Sequence, residues 1–324
     1  MSAPAQLKER KISFVIPVYN EKDTLEELYK RIEAVMQKER YHDFEVIWID
    51  DGSTDGSWEC IDKLTRKHPK HIKAIRLRRN FGKAQGLSSG FLVATGDIIF
   101  TMDADLQDDP IEISNFINKI DEGYDLVSGW KFKRLDPLSK TIPSKIFNIF
   151  AQNISGIKLH DFNCGFKAYR KEVLNAIRVY GELHRYIPIL AHHQGFRIGE
   201  LKVLHHPREF GKSKYGLERY VRGGLDLLTV IATTRYLQRP GHLFGGVGIS
   251  LGLVGFGILA YLVAVWFSGH HIGTRPLLSF GIMMVLMGVQ FISLGLIAEL
   301  LVRNSSTGTA TNHHILETIG ISSK

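Results

Sequence analysis

Cysteine is scarce: Cys60 and Cys164 are the two in 324 residues. They make no metal-ligand pattern, so a cysteine metal centre and a disulfide-dense secreted scaffold are not indicated, and a reducing compartment is expected. Also missing are a Gly-x-Gly-x-x-Gly run and a Gly-x-x-x-x-Gly-Lys-Ser/Thr run, which leaves neither a hydride carrier nor a P-loop hydrolase. No apolar segment lies near the amino terminus. A signal peptide is therefore not expected, and the globular part should stay on the side where it is made. The net charge of +8, with basic residues thick between Arg197 and Arg239, comes without a recognised nucleic-acid motif. Anionic lipid headgroups and phosphorylated substrates explain it better, and no nucleic acid is expected as a partner.

What the chain does have is unevenly spread. Apolar residues make up 44%, but Leu243 to Phe267 and Leu277 to Val302 are each long enough for the ~20 residues that cross a bilayer. Ahead of them, Leu217, Tyr220, Val221, Leu225, Leu228 and Ile231 oppose Glu218, Arg219, Arg222 and Arg235 on helical spacing, as expected of a helix lying along the membrane surface. Arg235, Arg239 and Arg303 flank the pair of spans, while the connecting loop has only Arg275. That bias places both termini and the globular domain in the cytoplasm. Glycines 241, 245, 248 and 252 give two Gly-x-x-x-Gly spacings, a pattern for close packing either between the spans or between subunits.

The first half alternates strand and helix. Lys11 to Val18, Phe44 to Ile49, His71 to Leu77 and Ile98 to Met102 read as strands, with helical spacing of Leu25, Leu28, Ile32, Val35 and Met36 between the first two. Right-handed crossovers and a mostly parallel sheet follow. Polar residues gather at every strand's carboxyl end, the edge where open α/β sheets bind ligands. At the first end, Pro17 fixes the backbone, and Asn20 and Glu21 offer an amide and a carboxylate to a base or ribose. At the second, Asp50 and Asp51 can accept from a base imide or ribose hydroxyls, while Asp55 reads as a helix cap. At the third, Gly82 permits close backbone approach and Lys83 opens a helix suited to a diphosphate. At the fourth, Asp103 and Asp105 are separated only by Ala104, so they can converge on a hard cation, Mg2+ or Mn2+, that completes its shell with substrate phosphates. Asp108 and Asp109 read as caps of the helix beginning near Pro110.

Four motifs, Pro17-Val-Tyr-Asn-Glu21, Asp50-Asp-Gly-Ser-Thr-Asp55, Arg79-Asn-Phe-Gly-Lys83 and Met102-Asp-Ala-Asp-Leu-Gln107, resemble those of the family-two glycosyltransferases of GT-A fold. Asp161-Phe-Asn-Cys-Gly-Phe166, Arg208-Glu-Phe-Gly-Lys-Ser-Lys-Tyr215 and the paired spans extend the likeness over nearly the whole chain, to the polyprenyl-phosphate glycosyltransferases. The resemblance implies a Rossmann-like α/β fold: a cytoplasmic GT-A domain with a mostly parallel sheet over 1–210, and a basic loop with a juxtamembrane amphipathic helix over 211–240. Two transmembrane helices over 241–304 and a cytoplasmic tail over 305–324 complete an inner-membrane protein.

The resemblance also implies roles. Donor contacts fall to Pro17, Tyr19, Asn20, Glu21, Asp50, Asp51, Asn80, Gly82, Lys83, Asp103, Ala104, Asp105 and Gln107, with the metal on Asp103 and Asp105. The acceptor phosphate falls to Arg134, Arg208, Lys212, Ser213 and Lys214. Asp161 lies near the acceptor as an orienting group or weak base, and Asp103, Asp105, Asp161 and Arg208 form the catalytic group. The expected reaction is inverting transfer of a hexose from a nucleotide sugar to a polyprenyl phosphate lipid. UDP-glucose and undecaprenyl phosphate are the expected pair, as in O-antigen modification, and the assembly a homo-oligomer such as a tetramer. A processive polysaccharide synthase would share the sheet and the aspartates, but this chain lacks that group's Gln-x-x-Arg-Trp motif and has too few spans for a channel within one subunit. A non-enzymatic nucleotide-sugar-binding scaffold would not need the acceptor-side basic residues.

Overall fold

A computed structural model describes residues 10–132, 148, 152, 156–177, 183–206, 240–273, 275–304 and 315–319. The chain divides into two units, 1–227 with 312–324, and 228–311. The first runs β1 (Ile12–Val18), α1 (Leu25–Lys38), β2 (Phe44–Asp50), α2 (Ser57–Lys67), β3 (Ile72–Leu77), α3 (Lys83–Val93), β4 (Ile98–Thr101), α4 (Ile113–Asp121), β5 (Leu126–Lys131), β6 (Lys167–Arg170), α5 (Lys171–Ala176), α6 (Ile187–His193), β7 (Ile198–Val203) and finally β8 (Ile315–Ile319). Its sheet has the order β7-β5-β6-β4-β1-β2-β3-β8.

Strands β1 to β4 are mutually parallel, which brings four carboxyl ends to one edge as the alternation requires. Their near-continuous apolar runs are buried because helices cover both faces. Phe14, Trp48, Phe100 and Phe166 share one core with Leu28, Trp58 and Phe116 from the helices. Val15, Ile47, Ile49, Ile75 and Ile99 share a second with Leu87 of α3, and Leu126, Tyr169, Val173 and Ile187 a third.

Two strands depart from that scheme. Running antiparallel between β4 and β5, β6 places its first residue, Lys167, opposite both Thr101 and Ser128, at the same edge as the four carboxyl ends. The second departure lies in the expected tail. Within 305–324, Ile315–Ile319 forms β8, antiparallel to β3 with Ile75 opposite Thr318, so the sheet is completed by sequence that follows the two long apolar helices. An unpaired β3 would leave a row of open N–H and C=O groups, and Ile-Leu-Glu-Thr-Ile is suited to cover them.

The second unit is a pair of helices, α7 (Pro240–Phe267) and α8 (Pro276–Asn304). Phe244–Phe267 and Pro276–Leu301 within them have mean hydropathy 2.2 and are long and apolar enough to cross a membrane. They pack backbone to backbone: a Cβ on Gly248 would meet the Gly288 carbonyl at 2.6 Å, and one on Gly255 would meet the Gly281 carbonyl at 2.9 Å. At these two positions the glycines therefore serve packing between the spans. The expected juxtamembrane helix lies outside the described residues.

Candidate active site

The carboxyl edge is built from loops that hold one another. Asn20 takes a left-handed backbone at φ 53°, its N–H donates to Ser53 Oγ at 2.9 Å, and its Oδ1 accepts from Thr54 N at 2.8 Å. The amide read as a ligand group thus ties the β1 loop to the β2 loop. Asp51 ties the β2 loop to the next, accepting from Phe81 N at 2.7 Å and Gly82 N at 2.9 Å. The loops touch so closely that a Cβ on Gly52 would lie 2.6 Å from the Arg79 carbonyl carbon. Asp50 is fully buried, accepts from Ser53 N at 3.0 Å and lies 3.6 Å from Arg76. Burial pushes the Asp50 carboxyl up, and pushes Asp51 up to about 6 against the pull of its two N–H donors.

Asp51→Asn therefore makes a two-part stability prediction. At neutral pH the variant should melt lower, since its amide accepts with one oxygen only; Gly82 N keeps Asn80 Oδ1 at 3.1 Å, so the cost, about 1 kcal/mol, falls on Phe81 N. Because the folded value of Asp51 lies above its unfolded value near 3.8, the folded state binds that proton more tightly, and wild type gains relative stability as pH falls from about 6 toward 4. The gap between the two melting curves should widen over that window; a gap independent of pH would contradict the assignment.

Beyond β4, Asp103 is half-buried and Asp105 buried. The Asp103 carboxylate pairs with Lys83, the first residue of α3. Burial alone would raise its value, but Lys83 and Lys131 outweigh it and hold the carboxyl well below the usual range. Its oxygens rest on bare backbone: a Cβ on Gly165 would meet Asp103 Oδ2 at 2.7 Å. Asp105 Oδ1 accepts from Gln107 N at 3.3 Å, and the loop is latched to the end of β7 by Gln107 Nε2 to His206 O at 3.3 Å and His206 N to Gln107 O at 2.9 Å. Asp109 caps as expected, accepting from Ile111 N at 3.0 Å. Asp108 does not cap; it is buried and lies 3.0 Å from Lys131 Nζ. Burial works against the charge on Lys131, but Asp108 and Asp103 hold it cationic.

Three further groups complete the edge. Lys167 is buried and donates to the carbonyls of Phe162 and Cys164, shaping the 161–166 loop. His184 is kept neutral by burial and by Lys83, Arg185 and Lys167. Asp161 is only 1% exposed, its Oδ1 accepting from Asn163 N at 3.0 Å and its N–H held by Glu200 Oε1 at 3.2 Å. Burial pushes the Cys164 thiol up to about 12, so it is inert as a nucleophile. Lys131, Lys167 and His184 stand outside the expected site residues. The signal for Lys131 was its place at a strand's carboxyl end; Lys167 opens a strand, and only the reversed direction of β6 brings it to this edge.

Among the described residues, no group of three or more His, Cys, Asp or Glu could by itself hold a metal. Two carboxylates suffice for a hard cation whose other ligands are diphosphate oxygens and water. Asp103 and Asp105 are of the kind that requirement calls for, and Lys83 balances the charge of Asp103.

A family model, "Glycosyl transferase family 2", matches residues 13–178. This chain belongs to glycosyltransferase family 2. Dodecaprenyl-phosphate galacturonate synthase of Rhizobium johnstonii is 38% identical over 95% of this chain and 92% of its own. Undecaprenyl-phosphate 4-deoxy-4-formamido-L-arabinose transferase of Klebsiella pneumoniae is 36% identical over 90% and 88%. Glucosyl-3-phosphoglycerate synthase of Mycobacterium tuberculosis, solved with Mn2+ and UDP-glucose, matches the fold at TM-score 0.54 and 18% identity, over 70% of this chain and 82% of that one. Membership makes the protein a glycosyltransferase of GT-A fold, and the Mn2+ in that neighbour fits a divalent cofactor in the family.

Against the expected roles, Asn20, Asp50 and Asp51 brace the edge; Tyr19, Glu21, Asn80, Gly82, Asp103, Ala104, Asp105 and Gln107 lie on its loops, Pro17 near the end of β1 and Lys83 at the start of α3. Asp161 is an enclosed residue of a neighbouring loop. Arg134, Arg208, Lys212, Ser213 and Lys214 lie outside the described residues.

Proposed function

We propose that this family-2 enzyme transfers a sugar from a nucleoside diphosphate donor to a polyprenyl phosphate at the cytoplasmic face of the inner membrane. The observation that carries the reading is the Asp103, Asp105 and Lys83 cluster on the carboxyl edge, in a chain alike over nine-tenths of its length to two enzymes named for polyprenyl-phosphate products. Lys83 at the start of α3 receives the diphosphate. A divalent cation on Asp103 and Asp105 would neutralise the departing diphosphate. The acceptor phosphate is mostly dianionic near neutral pH and needs no strong base to attack the anomeric carbon. Asp161 is accordingly an orienting group for its loop. Attack from the face opposite the diphosphate inverts configuration. Arg134, Arg208, Lys212, Ser213 and Lys214 supply cations and a hydroxyl to the acceptor phosphate.

The expectation of glucose gives way here. Neither relative is named for glucose, and one is named for galacturonate. We take a hexuronate, carried on UDP, as the donor, and undecaprenyl phosphate or a polyprenyl phosphate of similar length as the acceptor. Purified protein should release UDP from UDP-galacturonate only when polyprenyl phosphate is supplied, and faster than from UDP-glucose. Equal release without the lipid would remove the acceptor from this reading, and preference for UDP-glucose would remove the uronate.

The return of β8 to the sheet that precedes the two spans in sequence supports an even number of bilayer crossings. The arginine bias puts the shared side in the cytoplasm. Tags at Ser2 and Lys324 should both be shielded from external protease in intact cells and cleaved after the membrane is opened; cleavage of either in intact cells would contradict the topology.

A further inference from the structure

The loop that carries Gly165 against Asp103 is held at its start by a single carboxylate from the edge of the sheet. Glu200 lies on β7, separated from β6 by β5, and its side chain is 13% exposed. Its Oε1 accepts from His160 N at 2.7 Å and from Asp161 N at 3.2 Å, and its Oε2 lies 2.7 Å from His160 Nδ1. The imidazole is fixed on its flat side as well, stacked on Trp130 of β5 with 4.0 Å between ring centres and 10° between planes. His160 is thus pinned on two sides although 59% exposed. Further along the loop, Gly165 O accepts from Thr101 Oγ1 at 2.8 Å, at the end of β4 that leads to Asp103.

Burial of Phe162, Cys164 and Phe166 already anchors the apolar members of this loop. Lys167 draws in two of its carbonyls, and Asn148 Nδ2 donates to His160 O at 2.7 Å. What Glu200 adds is direction. Two successive backbone N–H groups converging on one oxygen fix the backbone at residues 160 and 161, and so the height at which Gly165 meets the Asp103 carboxylate. A largely buried carboxylate is tolerated because these donors match its lone pairs.

We propose that Glu200 is a positioning residue for sugar transfer: by seating the 160–166 segment it keeps the Asp103 carboxylate in place. This role rests on the reading of Asp103 given above and adds the residue, on a different strand, that holds its support.

The test uses the full chain in mild detergent, below the Tm of each variant. Glu200→Gln keeps one oxygen for the two N–H groups and should retain most of the wild-type kcat. Glu200→Ala removes the acceptor, and Glu200→Asp keeps the charge but falls one methylene short. Both should lower kcat at saturating Mn2+ about tenfold or more with little change in KM for the nucleotide sugar, and lower Mn2+ affinity, titrated without substrate, about tenfold. Glu45 supplies the contrast, a buried carboxylate near the start of β2 bound by Ser13 Oγ, Thr95 N and Lys73. Glu45→Gln should lower Tm with kcat per folded molecule unchanged. Wild-type kcat and Mn2+ affinity in folded Glu200→Ala, or a Glu200→Asp that matches Glu200→Gln, overturns the proposal; the second comparison decides alone if Glu200→Ala does not fold. Absence of transfer by the wild-type protein would be a failure of the proposed reaction instead, and Mn2+ titration of the same variants then decides the role of Glu200, an affinity equal to wild type overturning it.

Discussion

Replacing Asp103 or Asp105 by Asn is expected to lower turnover about 10³-fold, the scale seen when one preorganised electrostatic group is lost from a transition state. Both carboxylates stand at the end of β4, and Asp103 is held ionised by Lys83 and Lys131 despite partial burial. Each substitution removes a charge but keeps the shape, so the fold should persist. The two variants should differ in a telling way. Asp103→Asn leaves Lys83 without its carboxylate, which frees that lysine for the diphosphate, so donor binding should fall less than turnover. Asp105→Asn has no such compensation and should weaken both. Turnover and donor affinity measured with saturating Mn2+ would settle it. Wild-type activity in either variant, or in excess chelator, would contradict the role given to this pair.

Gly165→Ala should be nearly as damaging although it removes no functional group. The added Cβ would lie 2.7 Å from Asp103 Oδ2 and 2.9 Å from both its Oδ1 and Cγ, closer than side-chain atoms pack. Either the carboxylate or the 161–166 loop must shift, and an ångström of misplacement at a reacting site can cost about 100-fold. Thermal stability should change little if the carboxylate yields, because Asp103 is half-buried and can turn. The readouts are kcat, Mn2+ affinity and Tm together. A fall in Tm with normal kcat per folded molecule would show that the loop gives way and that Gly165 serves folding alone.

The sheet edge was legible because parallel strands must end together, so Asn20, Asp51, Lys83 and Asp103 could be placed in one region from four separate motifs. What each does there was not legible. Asp51 and Asn20 look like ligand groups in a one-dimensional reading, and only the contact between loops makes them braces. Asp108 follows the rule for a cap, yet Lys131 draws it into the interior. Lys167 is hidden because strand direction is not written in apolar content, and β8 because a five-residue run after a membrane helix carries no sign of its distant partner, β3. The donor sugar was the least legible of all. In the proposed reading the motifs serve the diphosphate and the metal that such donors share, and residues that separate glucose from a uronate need not lie within them.

Sugar transfer to a lipid phosphate can be followed directly by tracing the donor's label into lipid. Membranes holding the protein would be incubated with radiolabelled UDP-galacturonate, polyprenyl phosphate and Mn2+, and the label followed into organic solvent. The account predicts one sugar per lipid in the organic phase, joined through a single phosphate and lost when Asp105 is replaced by Asn. Label in an insoluble polymer, or no transfer from any nucleotide sugar to lipid, would contradict it.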